Sequence, residues 1–195
     1  MPKAKPMKQF IEATSDNPPR PLLVEAMNHV SEKDAALDLG AGALNDSKYM
    51  LTLGFKRVDA VDMAPASKEK ASDITLGGFT FHFCRFDEYK FPKDTYDLVN
   101  AQYALPFNPP ETFGEVLKSV VASLKEGGVF VGQFFGDRDS WNVKGSKKTF
   151  HTIEEARKDL AALDLIEFRE EERDGVTVSG EPKHWHVFHF IAIKV

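Results

Sequence analysis

Residues 34–63, DAALDLGAGALNDSKYMLTLGFKRVDAVDM, read as strand, glycine turn, helix, strand. Residues 35–39 form a short, mostly apolar run without alternation, as in a parallel strand covered on both faces. Gly40-Ala41-Gly42 follows at once, where the backbone must turn sharply and approach a ligand closely. Asn45 or Asp46 is placed to cap a helix through about Leu53, and Gly54 to end it. Residues 58–61 make the second strand, which stops on Asp62. The ligand crevice of an open α/β sheet lies at the carboxyl ends of its strands, so Asp38, the glycine turn and Asp62 share one rim.

A carboxylate ending the second strand can accept hydrogen bonds from both ribose hydroxyls of an adenosine group. Asp62 follows Gly42 by 20 residues (62 − 42), the spacing of a βαβ dinucleotide fingerprint. A nicotinamide cofactor would want G-x-G-x-x-G, with bare amides facing a pyrophosphate. The third glycine would fall at Asn45, so that fingerprint is incomplete. Asp38 suits a cationic ligand such as the amino group of S-adenosylmethionine (SAM). On spacing alone, a turn in an α/β domain without a cofactor stays open as well.

LDLGAGALNDS (37–47) with a second-strand Asp resembles motifs I and II of the class I SAM-dependent methyltransferases. Further members of the pattern extend the resemblance to about residues 20–195, with residues 1–19 as an arm or lid. The pattern departs at Leu44, where many members carry a third glycine. The resemblance implies an α/β class fold, a Rossmann-like three-layer α/β/α sandwich. Its seven-stranded, mostly parallel sheet would have an antiparallel C-terminal strand. It also implies SAM as cofactor, leaving as S-adenosyl-L-homocysteine, with Gly40, Ala41, Gly42, Asn45, Asp62 and Met63 around it.

Composition agrees with a single domain. The chain has 195 residues and 42% hydrophobic content, enough for one substantial core. A net charge of −5 shows no footprint for phosphate backbones, so nucleic acid is not the expected partner. Cys84 is the only cysteine, which excludes an internal disulfide or a cysteine zinc cluster. The start, MPKAKPMKQF, has positive charge but no apolar core of a signal peptide, and no run reaches transmembrane length. A cytoplasmic monomer or homodimer without membrane contact is expected.

Within the arm a short helix is expected over 8–13, followed by a rigid Pro18-Pro19 turn. Pro21 opens a helix whose Leu22, Leu23, Ala26 and Val30 share a face. Arg20, just ahead of it, is placed to pair with the carboxylate of SAM or of a substrate, or simply to start a surface helix. A helix over 64–72 and a Gly77-Gly78 turn lead to a third strand, 79–84, by strict alternation. In the resembling family the next loop holds an acid for the adenine amine, which puts Asp87 there and Phe86 on the adenine face. Residues 95–101 form the fourth strand, ending in Ala101-Gln102-Tyr103 beside the methionine part of SAM. Asn108-Pro109-Pro110-Glu111 is unlike the NPPY motif of amino-group DNA methyltransferases, since Glu111 replaces the aromatic residue and the segment comes too late.

A helix from Pro110 to about Leu124 and an LKEGG turn precede the fifth strand, 129–135. The polar loop 136–142, carrying Trp141, returns to the rim, where substrate recognition is expected. Residues 144–148 read as a surface loop. Thr152 and Glu155 make a capping box for a helix to about Leu163. Residues 165–173 and 185–194 are two strands joined too closely for a crossover helix, hence antiparallel neighbours. The last strand therefore starts at the rim with His184 and His186 on one face and Trp185 on the other. Metal is not expected: His189 has the other parity and no carboxylate falls at a diagnostic spacing.

Methyl transfer from a sulfonium needs mainly positioning of the acceptor and exclusion of water. No residue declares itself a base, so His184, His186 and Tyr103 stand as candidates. Tyr103, Phe107, Trp141, His184 and His186 are expected to line one acceptor cavity. The compact chain looks loosely like the tellurite-resistance and thiopurine-type small-molecule enzymes and favours a small acceptor. A protein or nucleic-acid methyltransferase working with a partner, and a SAM-binding protein without turnover, stay open.

Overall fold

The computed structural model describes residues 5–195. Five strands pair in parallel: β1 (Ala35–Leu39), β2 (Arg57–Val61), β3 (Phe79–His82), β4 (Tyr96–Ala101) and β5 (Leu124–Gly136). A two-residue β6 (Phe150–His151) adds to the end of β5, also in parallel. β7 (Leu163–Val176) and β8 (Pro182–Lys194) form a long antiparallel hairpin, and β8 runs antiparallel to β5. The order across the sheet is β3-β2-β1-β4-β5-β8-β7 with β6 to one side. Every residue of β1 and of β4 is buried, as their unalternating apolar runs require.

Helices cover both faces. α5 (Pro110–Ser123) and α6 (Ile153–Asp159) close one core, which holds Leu37, Val99, Phe113, Phe130, Phe134, Phe188 and Phe190. α2 (Pro21–Ala26) and α3 (Asn45–Thr52) close the other over Ala36, Val58, Leu98, Val131 and Ile191. Alternate residues of each strand feed the two cores. α4 (Pro65–Ala71) follows β2, and α1 (Lys5–Ala13) lays Ile11 against Ala43 and Ala64. Among the described residues no helix is long and apolar enough to cross a membrane.

Several expectations need correction. Beside the seven expected strands, the chain after the Trp141 loop adds the two-residue β6, which pairs briefly with β5. α1 starts at Lys5, ahead of the expected residue 8. α6 ends at Asp159, since Leu163 already opens β7, and both hairpin strands run longer than their apolar patterns. β3 stops two residues early, at His82. The LKEGG segment is a bulge within β5: pairing steps from Tyr96↔Leu124 to Leu98↔Val129. The capping box of α6 is formed, with Glu155 N donating to Thr152 Oγ1 at 3.2 Å and Thr152 N to Glu155 Oε2 at 2.8 Å.

Neither Asn45 nor Asp46 caps α3. The cap position is Leu44, left-handed at φ 66° and without a side-chain bond. Asn45 Nδ2 instead donates to the Thr14 carbonyl at 2.6 Å, and Asp46 Oδ1 accepts from Arg20 N at 2.9 Å. Both side chains are drawn from their own helix end to the N-terminal segment.

Candidate functional site

The glycine turn sits where β1 ends. Gly40 has φ 71°, and a Cβ there would run into Ala104 Cβ and stand 3.4 Å from the Phe86 ring. Its N–H donates to Val61 O at 2.8 Å, tying the turn to the end of β2. Gly42 has φ 51°, and its N–H donates to Asp62 Oδ2 at 2.8 Å, while Ala64 N donates to Asp62 Oδ1 at 2.7 Å. Asp62 thus clasps the turn, keeping lone pairs on both oxygens. Burial pushes its carboxyl above the usual range. Leu44 takes the left-handed position where the resembling family often has glycine, a cost of about 1–2 kcal/mol. Full burial of its side chain offsets that strain.

Beneath the turn lies an acid-rich network. Asp38 is 2% exposed. Its Oδ2 accepts from Ser47 Oγ at 2.5 Å and its Oδ1 from Asn100 Nδ2 at 2.9 Å. The same Asn100 amide reaches Asp46 Oδ2 at 3.2 Å. Desolvation, with the Asp46 charge beside it, raises the Asp38 pKa to about 7. Burial also raises that of Asp46. A cation brought to this cluster would relieve both effects. The network continues without a break: Gln102 Nε2 donates to Asn100 Oδ1 at 2.9 Å, Gln133 Nε2 to Gln102 Oε1 at 2.8 Å, and Tyr103 N to Gln133 Oε1 at 2.7 Å. Ser47, Asn100 and Gln133 escaped the sequence reading as site residues, and Asp46 was read there only as a helix cap. Asn100 and Gln133 carried a usable signal, being polar residues inside the apolar, buried runs of β4 and of the second part of β5.

Phe86 is half-buried beside the turn. Asp87 is exposed and forks with Arg85 at 2.9 and 3.0 Å, which holds its carboxyl below the usual range. Any adenine amine would share that carboxylate with Arg85. Met63 is 60% exposed just past Asp62, and Ala101 is fully buried at the end of β4.

On the α2 face, the chain after β4 opens a cavity of about 310 Å³ lined by Arg20, Gln102, Tyr103, Gln133, Glu171 and His189 among others. Tyr103 is left-handed at φ 53°. The Arg20 guanidinium lies 5.4 Å from its ring centre, and Trp185 and His189 lie at 6.4 and 6.2 Å. Trp141 packs on Trp185 at 5.5 Å and on Phe107 at 6.0 Å. Lys183 is wedged between the indoles, Nζ 4.0 Å from Trp141 and 4.3 Å from Trp185. It is paired there with Asp139, both side chains fully buried. Burial lowers the Lys183 pKa despite that pairing.

His184 and His186 do not join this group. Cross-strand pairing aligns Trp185 with Arg173 and His189 with Arg169, and so sets their face apart from that of His184, His186 and Phe188. His186 is fully buried in the opposite layer, its Nδ1 accepting from Arg138 N at 3.1 Å and its ring 4.9 Å from Phe188. His184 lies between Asp174 and Glu172, at 2.7 and 3.0 Å, which raise its pKa. The single cavity expected from Tyr103, Trp141, His184 and His186 is therefore divided by the sheet. Parity was read correctly along β8, but the wrong parity was assigned to the Tyr103 side. Glu170, Glu172 and His186 do converge closely enough for a metal. However, Arg138 Nη2 lies among them at 2.5, 2.8 and 3.1 Å, so an internal cation fills the place.

This fold is one that known proteins share. Residues 36–128 match the family model described as "Methyltransferase domain". That match covers just under half of the chain. The chain's fold is that of many solved methyltransferases. The 1,6-didemethyltoxoflavin-N1-methyltransferase of Burkholderia thailandensis, solved with 1,6-didemethyltoxoflavin and S-adenosylhomocysteine, superposes with a TM-score of 0.65 at 21% identity, over 90% of this chain and 77% of that one. TehB from Haemophilus influenzae gives 0.71 at 17%, over 89% and 61%. A SAM-dependent methyltransferase from Methanosarcina mazei gives 0.66 at 20%, over 91% and 99%. No curated protein sequence matches the chain. The methyltransferase match ends at residue 128, so it takes in the glycine turn, Asp38, Asp62 and Tyr103. It leaves Gln133, Trp141, Trp185 and His189 outside.

Proposed function

We propose that the chain transfers the methyl group of SAM to a small-molecule acceptor held in the cavity between α2, Tyr103 and β8. The observation that carries this reading is the cavity's position. It adjoins Gln102 and Tyr103, which follow β4, and is continuous through Gln133 and Asn100 with the acids beneath the glycine turn. Bound SAM supplies a methyl group already activated on a sulfonium. The residues present suit it: Asp62 for the ribose, Phe86 and Asp87 for adenine, and the Asp38–Asp46 pair for the positive amino group. Arg20 is available to a carboxylate, and its position over Tyr103 puts it at the cavity mouth. The α1 segment, laid across Ala43 and Ala64, serves as a cover over the turn. The small cavity, with the Tyr103 and His189 rings in a lining of largely polar residues, favours a compact acceptor, as does the heterocycle bound to the Burkholderia enzyme.

The test is calorimetric binding of SAM and of S-adenosylhomocysteine, followed by a screen of small acceptors by mass spectrometry. Asp62→Ala is expected to weaken SAM binding about tenfold, the scale of one lost charge-assisted hydrogen-bond pair (about 1.5 kcal/mol). Equal affinity in a folded variant would remove Asp62 from the site. Tight binding of NAD with none of SAM would end the reading. Methylation confined to a protein or nucleic-acid partner would change the acceptor class but leave the cofactor half intact.

A further inference from the structure

The residue left unused by this account is His189. It lies in the middle of β8, paired with Gln133 of β5 on one side and Arg169 of β7 on the other. It is therefore held by backbone on both edges, with a side-chain relative exposure of 13%. Its Nε2 meets Glu171 Oε2 at 2.9 Å, and Glu171 is fixed in turn by Arg173. Its Nδ1 has no protein partner among the described residues and is not sealed from solvent. The ring stands edge-on to Tyr103 at 6.2 Å, in the wall of the cavity that begins at Gln102. A carboxylate on one imidazole nitrogen fixes the tautomer with the proton on that nitrogen and leaves the other a free base.

We propose that the His189–Glu171 pair is the proton acceptor of the site, and that its substrates carry a protic O–H or N–H at the atom that is methylated. This rests on the methyl-transfer reading above. The acceptor's X–H bond gives its proton to His189 Nδ1, and the freed pair forms the new X–C bond while sulfur keeps the pair of the broken S–C bond. Imidazolium then releases its proton to solvent as the product leaves. Glu171 is a positioning residue: it stabilises the imidazolium without touching the acceptor. The groups facing the ring are Glu171, Arg169 and Arg173 from β7, with Tyr103 and Arg20 across the cavity. Burial and the two β7 arginines lower the His189 pKa, against the raising effect of Glu171. The ring is thus neutral at neutral pH and able to take a proton.

Two probe acceptors separate this role from mere packing. Thiophenol is largely ionised near pH 7.5 and needs no base, whereas phenol does. His189→Gln is expected to lower phenol methylation about 100-fold or more, with thiophenol methylation and SAM affinity changed less than threefold. Glu171→Gln should lower phenol turnover by a smaller factor and shift the lower limb of its pH profile. Independently of any acceptor, nitrogen-15 NMR of the S-adenosylhomocysteine-saturated protein should show His189 protonated at Nε2 and bare at Nδ1 at pH 7.5. Equal loss with both probes, no loss with phenol, or an Nδ1-protonated ring each overturns the assignment. A wild-type protein that binds no SAM would instead remove the underlying methyltransferase reading, and the dyad's role with it.

Discussion

Gly40→Ala is expected to destabilise the protein by about 3 kcal/mol or more and to cost most of its SAM affinity. Two terms add. The left-handed backbone, at φ 71°, penalises any Cβ by about 1–2 kcal/mol. The new methyl also has no room, because it would run into Ala104 Cβ and crowd the Phe86 ring. Overpacking of that kind costs about 1–3 kcal/mol. Relief would have to come from the turn after β4, which carries Gln102 and Tyr103, so the cofactor and acceptor sides would move together. Gly42→Ala is the control. Its φ is 51°, but a Cβ there meets nothing closer than Gly40 O at 3.8 Å. It should lose only the backbone term in stability. Urea unfolding of the two variants checks this, with SAM calorimetry alongside. Equal stability losses would show that conformation, not the close approach of Ala104, is what requires glycine at 40.

How far the chain could be read in advance follows from where the physics is local. The first half was legible because its signals are short-range. Unalternating apolar runs can only be strands covered on both faces, a glycine pair between strand and helix can only be a tight turn, and an acid ending β2 must lie beside it. Asp62 and Gly42 are 20 residues apart in sequence (62 − 42) and 2.8 Å apart in space for that reason. The second half needed long-range information. Whether His184 or Trp185 faces Tyr103 depends on how β8 registers on β5, and alternation gives parity without saying which parity points where. Asn45 and Asp46 looked like caps because their composition suits one. The N-terminal segment took both side chains, through Thr14 O and Arg20 N, a competition that no window around α3 contains. Leu44 is the reverse case: the mismatch with the family's glycine pattern was visible, and the structure shows the left-handed backbone it strains to satisfy.

Asp38→Asn is expected to lower SAM affinity by about 2–3 kcal/mol at pH 8, roughly 30- to 150-fold, while leaving the fold intact. The substitution keeps shape and bonding: the new carbonyl accepts from Asn100, and the new amide donates to Ser47, whose hydroxyl turns from donor to acceptor. What it removes is the charge available to a cation. The pH dependence has a definite sign. Burial and Asp46 raise the folded-state pKa of Asp38 from 3.8 to about 7, so in the free protein the group is neutral below that value and ionised above it. SAM, as a cation, binds the ionised form, so wild-type affinity should rise with pH up to about 7 and then level, while the variant stays flat. Stability of the free protein runs the other way. The native state holds a proton that the unfolded chain releases above 3.8, so Asp38's contribution is fullest below that pH and is lost as pH rises through about 7. The variant should therefore unfold at higher denaturant than wild type at pH 8, and lose that advantage at pH 4. Calorimetry from pH 5.5 to 8.5, paired with urea unfolding, reads both slopes. Unchanged affinity for SAM at pH 8 would place the cation on the half-exposed Asp46 alone, and Asp46→Asn would then carry the loss.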